Sequence, residues 1–376
     1  MKILIISNNY SPYFDGISIF TNNLVSQLKK NGHVINLLNF DKQVSGKNLS
    51  WRDFIYTKST FHSYYSPIQI MNPNFFSHPD KGLRNFVFTN MVYRVSNKVI
   101  IAYKPDIIHI IYPRLFSAIY STQIPVISSV YSEEVRNTYP VKQLIRKSNK
   151  IIAISKYTAN LVQTVDNVSI RKTTVIPCSI DINSYKINNN VKKNYILSIG
   201  RLSQEKNFDS TIKAFALLPN KIKEIYRYVI IGNGKEKENL ENLIKKLKLQ
   251  NSVTLLGNLS EKEKIRYLQQ SKYFILCPRI KKGEQEGFGI VYLEAQASGL
   301  PIVTSQIGGI REAVGKGGLY ISDPENSQEI KDALLKLILD EDLVKHLVYE
   351  GNKRIHSFDH NHWINQVLTV YKEALK

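Results

Sequence analysis

Two short stretches of the chain hold groups suited to gripping a charged, hydroxyl-rich ligand. The first is Gly283-Glu284-Gln285-Glu286-Gly287-Phe288-Gly289-Ile290-Val291-Tyr292-Leu293-Glu294, which follows an apolar run at Tyr273–Cys277. Apolar spacing predicts a helix over Phe288–Ser298 that stops at Gly299, before Pro301. Glycines at a helix start let backbone N–H groups approach a ligand, and the helix dipole favours a phosphate there. Glu286, ahead of the helix, could accept from sugar hydroxyls, and Glu294 could reach another hydroxyl pair such as a ribose. In the purely structural alternative Glu286 caps the helix and Glu294 lies on a solvated face.

The second stretch is Ser198-Ile199-Gly200-Arg201-Leu202-Ser203-Gln204-Glu205-Lys206-Asn207-Phe208. A strand over Tyr195–Ile199 ends at Gly200, and the loop beyond it carries Arg201 and Lys206. A fork-shaped guanidinium and a point-charge ammonium at a strand C-terminus suit a diphosphate. Read as ordinary surface, they are two solvated cations.

Alternating elements must hold these loops. A strand Lys2–Ser7, a Pro/Gly loop ending at Gly16, and apolar residues Ile17, Phe20, Leu24 and Leu28 at helical spacing lead to a strand Val34–Leu38. Further strands are expected at Ile107–Ile111, Val126–Ser129 and Ile151–Ile154, with 42–80 as irregular connection. The polar, Asn/Lys-rich stretch 182–194 reads as a linker between a first domain, 1–181, and a second, 195–352. The second series has strands at Tyr195–Ile199, Tyr228–Ile231, Val253–Leu256, Tyr273–Cys277 and Ile302–Thr304, with helices between them. The fold class is therefore α/β, with two doubly wound domains whose strand C-termini face a cleft, the default ligand site.

Bulk properties narrow the classes without choosing one. A formal charge of +20 suits nucleic acid, anionic lipid or phosphate-bearing substrates, and equally a solvated basic surface. Cys178 and Cys277 have no metal-ligand or disulfide-framework spacing, which fits a reducing cytoplasm. The apolar run Ile3–Ile6 is too short for a signal core, and nothing approaches the roughly twenty apolar residues of a membrane span.

Taken in order and spacing, Gly200-Arg201, Lys206 and the pair Glu286 and Glu294 resemble the retaining glycosyltransferases of family four, with the GT-B fold. The likeness runs through Ile230-Ile231-Gly232-Asn233-Gly234, Ala295 to Pro301 and Gly308-Gly309-Ile310, and is more diffuse in the first half. It implies that Arg201 and Lys206 neutralise a donor diphosphate in place of a metal, with no other cofactor. It also implies that Glu294 holds the ribose and Glu286 the transferred sugar, while Gly200, Phe288, Gly289 and Ile290 line the donor. Gly16, at the first helix of the other domain, would close over the diphosphate, and a C-terminal helix in 353–376 would return to the first domain.

Asp15 stands beside Gly16 where the family pairs glycines, Cys178-Ser179 stands for its Asn-Gly, and Tyr131 occupies the place of a family histidine that contacts the sugar. Asp15, Tyr131 and His109 are accordingly candidates for acceptor or sugar contact, and a lone histidine ending a core strand is also a common structural element. Asp340-Glu341-Asp342 spells a metal-type string, yet it separates two helical patterns, where Asp342 reads as an N-cap.

The expected activity is transfer from a nucleotide-sugar, UDP-linked by preference, to a saccharide or lipid-linked acceptor in surface polysaccharide or glycolipid synthesis. The expected place is cytoplasmic, with peripheral contact to an anionic membrane through Arg84, Arg94, Lys98 and Lys104, and without specific nucleic-acid binding. The alternative is a GT-B-fold nucleotide-sugar-binding or scaffold protein with impaired turnover.

Overall fold

The computed structural model describes residues 1–7, 16–40, 62–64, 81–132, 135, 138–186, 192–281 and 283–376, with backbone only at 62–64, 81–88 and 113–114. Contacts divide the chain into two compact units, Met1–Pro177 with His360–Lys376, and Cys178–Asp359.

The first unit holds a seven-stranded, all-parallel sheet in the order β3-β2-β1-β4-β5-β6-β7. Its strands are β1 (Lys2–Ser7), β2 (Val34–Asn39), β3 (His62–Tyr64), β4 (Ile107–Ile110), β5 (Val126–Val130), β6 (Lys150–Ala153) and β7 (Thr173–Val175). Strands β1, β4 and β5 are buried along nearly their whole length, which explains their continuous Ile/Val/Leu runs. The helix Gly16–Lys30 turns Phe20, Leu24 and Leu28 inward, as their spacing requires. Strand β3 falls in the stretch expected to be irregular; three residues are too few to show an alternating pattern.

The C-terminal helix, His360–Ala374, belongs to this first unit and buries Trp363, Ile364, Val367, Val370 and Tyr371. Trp363 meets the edge of Phe20 at 5.3 Å between ring centroids.

The second unit holds a six-stranded parallel sheet in the order β10-β9-β8-β11-β12-β13. Its strands are β8 (Tyr195–Ile199), β9 (Arg227–Ile231), β10 (Val253–Leu255), β11 (Tyr273–Leu276), β12 (Ile302–Ser305) and β13 (Gly318–Ile321). The strand order reverses direction between β8 and β11. In doubly wound sheets that switch point opens a crevice at the strand C-termini. The loops after β8 and β11 are the two that the sequence singles out.

Three local expectations change. The helix of the first motif begins at Ile290, because Gly289 takes φ +87° and cannot continue it. Asp340, rather than Asp342, caps the helix Glu341–Ile355, accepting from the Leu343 N–H at 2.9 Å, while Asp342 pairs with Lys345 on the surface. Within the stretch read as linker, Ile182–Tyr185 forms a helical turn capped by Asp181, and it belongs to the second unit.

Candidate functional site

Lys206 and Glu286 meet at the β8/β11 switch point. Lys206 ends a short 3-10 turn, Gln204–Lys206, stopped by Asn207 at φ +61°. Asn207 is fully buried, and its amide donates to the carbonyls of Cys277 (2.9 Å) and Pro324 (2.5 Å). That fixes the turn against the end of β11 and aims Lys206 Nζ at Glu286 Oε2, to which it donates. The two side chains are 20% and 15% exposed, so the pair is half-buried yet open to a ligand.

Three glycines make the approach possible. A Cβ on Gly232 would lie 1.9 Å from the Gly200 carbonyl oxygen, and one on Gly308 would lie 2.0 Å from that of Glu286. Backbone thus rests on backbone at both loops, and the Gly309 N–H donates to the Glu286 carbonyl at 2.9 Å. The Gly308 N–H donates to Gln285 Oε1 at 3.0 Å, which holds the Glu286 loop a second time. Gly289 turns the chain over the Tyr292 ring, 2.6 Å from where its Cβ would stand. This turn brings the N-terminus of the helix Ile290–Ala297 to the Glu286 side chain, whose Cγ is 3.6 Å from that same point.

The expected residues do not all point one way. Gly200 lies beside Lys206, its Cβ position 3.8 Å from Lys206 Cδ. Arg201 is 70% exposed and its guanidinium is taken by Glu205 at 2.8 Å. Burial alone would raise the Glu205 pKa, but the Ser203 hydroxyl, a backbone N–H and Arg201 outweigh it and hold the carboxylate below its usual range. Phe288 is buried against Phe358, so only its backbone is available to a ligand. Glu294 is not a solvated residue: its side chain is 4% exposed and bonded to Lys264 and Tyr185.

In the first unit, Gly16 opens the helix Gly16–Lys30 with nothing within 4 Å of its Cβ position. Asp15 lies outside the described residues. His109 and Tyr131, taken as sugar or acceptor contacts, belong to the core instead. His109 is fully buried; Nδ1 is 2.6 Å from the Tyr371 hydroxyl and Nε2 2.7 Å from Ser129 Oγ. Burial lowers its pKa to about 3, which keeps the ring neutral. Tyr131 is 5% exposed and packs edge-on to Phe20 at 5.1 Å. His109 thus joins the sheet to the C-terminal helix and Tyr131 packs on the helix Gly16–Lys30, demands that local sequence does not display.

Arg279 is a site-supporting residue that the motifs do not mark. Its Nε donates to the Gln204 carbonyl at 3.0 Å, its N–H to that of Glu205 at 2.9 Å, and its guanidinium pairs with Asp209 at 3.0 Å. It thereby braces the Arg201–Lys206 loop from the end of β11. Both cysteines are free and buried. Burial pushes the Cys178 thiol up to about 12, with the nearby Glu286 carboxylate adding to the shift.

The chain is an α/β protein whose second unit is a doubly wound sheet with ammonium, carboxylate and a helix N-terminus gathered at its switch point. Two family models match, Glycosyltransferase Family 4 over residues 14–184 and Glycosyl transferases group 1 over residues 179–354. Between them they take in residues 14–354, and the chain belongs to the family-four glycosyltransferases of GT-B fold.

It is 26% identical to an uncharacterized glycosyltransferase of Methanocaldococcus jannaschii, over 99% of this chain and 98% of the relative. It is 30% identical, over 59% of this chain and 60% of the relative, to the N-acetylgalactosamine-N,N'-diacetylbacillosaminyl-diphospho-undecaprenol 4-alpha-N-acetylgalactosaminyltransferase of Campylobacter jejuni. Among solved structures, Anabaena HepE in complex with UDP and glucose has the same fold, with TM-score 0.76 and 18% identity over 99% of each chain.

Proposed function

We propose that the second unit binds a UDP-sugar and that the enzyme transfers the sugar, with retention of anomeric configuration, to a saccharide or lipid-linked acceptor. The observation that carries this reading is the Lys206–Glu286 pair set between a strand C-terminus and a glycine-bearing helix start. Lys206 and Arg201 neutralise the diphosphate, so the reaction needs no metal and no other cofactor. Arg201 exchanges Glu205 for a phosphate oxygen, and Lys206 exchanges Glu286. The freed Glu286 carboxylate accepts from hydroxyls of the transferred sugar, Glu294 takes the ribose hydroxyls, and backbone amides at Phe288–Ile290 face the diphosphate.

As the bond from the anomeric carbon to the diphosphate oxygen breaks, the fixed cations stabilise the charge gathering on that oxygen. The acceptor oxygen bonds to the same face of the anomeric carbon, and its proton passes to the departing diphosphate. The UDP held by HepE supports the donor class, and the diphospho-undecaprenol acceptor in the name of the Campylobacter relative supports a lipid-linked acceptor in polysaccharide or glycolipid synthesis.

Membrane contact is proposed for the helix Lys81–Tyr103 and its end, where Arg94, Lys98 and Lys104 are exposed beside Ile101, itself 64% exposed. Among the described residues no helix is long and apolar enough to cross a membrane. Flotation with vesicles rich in anionic lipid should recover the protein and neutral vesicles should not; equal recovery removes the proposal.

The donor reading is tested by titrating UDP, GDP and ADP with EDTA present, then following sugar transfer across a donor panel and the product's anomeric configuration by NMR. Chelator-resistant binding and an anomer matching the donor's are expected. Nucleotide binding with no sugar release from any donor would make the protein a GT-B-fold binding or scaffold protein instead.

A further inference from the structure

Glu294 sits in a cluster of charge larger than a ribose contact needs. Lys264 Nζ, on a side chain 12% exposed, donates to Glu294 Oε1 at 2.8 Å and to Glu261 Oε1 at 3.0 Å. The Tyr185 hydroxyl stands 3.1 Å from the same Glu294 oxygen and 3.0 Å from the same Glu261 oxygen. The four side chains come from three helices, Ile182–Tyr185, Glu261–Gln270 and Ile290–Ala297. A buried carboxylate needs such partners, because desolvation alone would drive it to take up a proton. Burial works to lower the Lys264 pKa, but Glu294 and Glu261 outweigh it, and the net shift is upward.

Among the described residues, both bonds to Glu294 fall on Oε1. That pins one oxygen, fixes the plane of the carboxylate and leaves Oε2 as the acceptor for a ligand. We propose that Lys264, assisted by Tyr185, is a positioning residue that holds the Glu294 carboxylate in the orientation that recognises a vicinal diol, the ribose of the donor. The assignment rests on the donor reading given above. Without Lys264, Glu261 and Glu294 would face each other across one tyrosine hydroxyl as uncompensated like charges. Glu294 would then turn away from Glu261, and the diol would lose its fixed acceptor.

The experiment is calorimetric titration of the full chain, wild type and variant, with UDP, GDP and ADP, and with the 2′-deoxy and 3′-deoxy forms of whichever binds. In the wild type a missing hydroxyl should cost about tenfold or more in affinity, the range expected when a buried acceptor loses its donor. In Lys264→Met that ratio should fall below about threefold, because the acceptor is no longer held in place. Affinity for the full ribose should drop while the deoxy forms change little. In transfer assays the donor KM should rise with kcat within about threefold, the mark of an interaction made equally in ground and transition states.

Tyr185→Phe, a gentler change, should lower the ratio partway and serves if Lys264→Met does not fold. A Lys264→Met protein with the wild-type ratio, or one weakened equally toward every nucleotide, overturns the proposal, as does Tyr185→Phe with the ratio unchanged where Lys264→Met is unfolded. Glu294→Gln separates the two levels. If it abolishes the hydroxyl preference while Lys264→Met keeps it, the donor reading stands and the role of Lys264 falls. If wild type binds none of the three nucleotides, the donor reading fails and takes this inference with it.

Discussion

Lys206 and Glu286 are 80 positions apart in sequence and joined in space, Nζ donating to Oε2, by loops that leave neighbouring strands of one sheet. Neither loop is long enough to wander, since each is stapled to the backbone of another loop. The two side chains therefore stand side by side before any ligand arrives, and on the proposed reading each exchanges the other for a ligand atom.

Lys206→Ala and Glu286→Gln should each reduce transfer by about 10²-fold or more, the scale of losing one preorganised stabilising group. Steady-state rates with matched melting curves check this; wild-type turnover in either single variant means the site lies elsewhere.

Arg279→Ala should raise the donor KM about tenfold without touching the ligand, because a displaced Gln204–Lys206 turn misplaces its cations and such errors are costly. Kinetics of the variant decide the matter, and an unchanged KM would show that the loop stands without its brace.

Gly232→Ala and Gly308→Ala would each drive a methyl into a carbonyl oxygen, at 1.9 Å and 2.0 Å, with φ at +146° and +55°. Gly257→Ala has open space around it and bears only the positive φ of +69°. The last should cost about 1–2 kcal/mol, the ordinary left-handed penalty, and the first two clearly more. Denaturant unfolding ranks them; three equal costs would contradict the backbone packing described.

His109 titrates with folding. Its unfolded pKa of 6.5 exceeds its folded value of about 3, so between those limits the unfolded chain binds the extra proton. Stability from this group is complete above about pH 6.5 and is lost as pH falls toward 3. The unfolding free energy of wild type should fall more steeply with acid than that of His109→Gln, and parallel curves would refute it. Tyr371→Phe, which strands a buried ring nitrogen, should cost about 1–3 kcal/mol at neutral pH.

Much of this protein is written locally. Period-two and continuous apolar runs mark the strands, and β1 and β8 fall on the residues expected, Lys2–Ser7 and Tyr195–Ile199. The glycine-bearing loop with Glu286 and the basic loop with Lys206 are also legible, because turn chemistry and charge at a strand end depend on neighbours in sequence. Elements with no local period escaped: β3, only three residues long, and β13, which opens on glycine. The start of the helix at Ile290 turned on one backbone angle at Gly289, which residue type permits but does not compel.

Tertiary structure alone decided the partners. That Glu294 is tied to Lys264 and Tyr185, that Arg279 holds the cation loop, and that His109 and Tyr131 serve the core follow from packing across 30 to 262 positions of chain. A side chain's burial and charge are set by whatever the fold carries to it. Residue types state what a group can bond; only the assembled sheet, with its crossover helices, settles which group it meets.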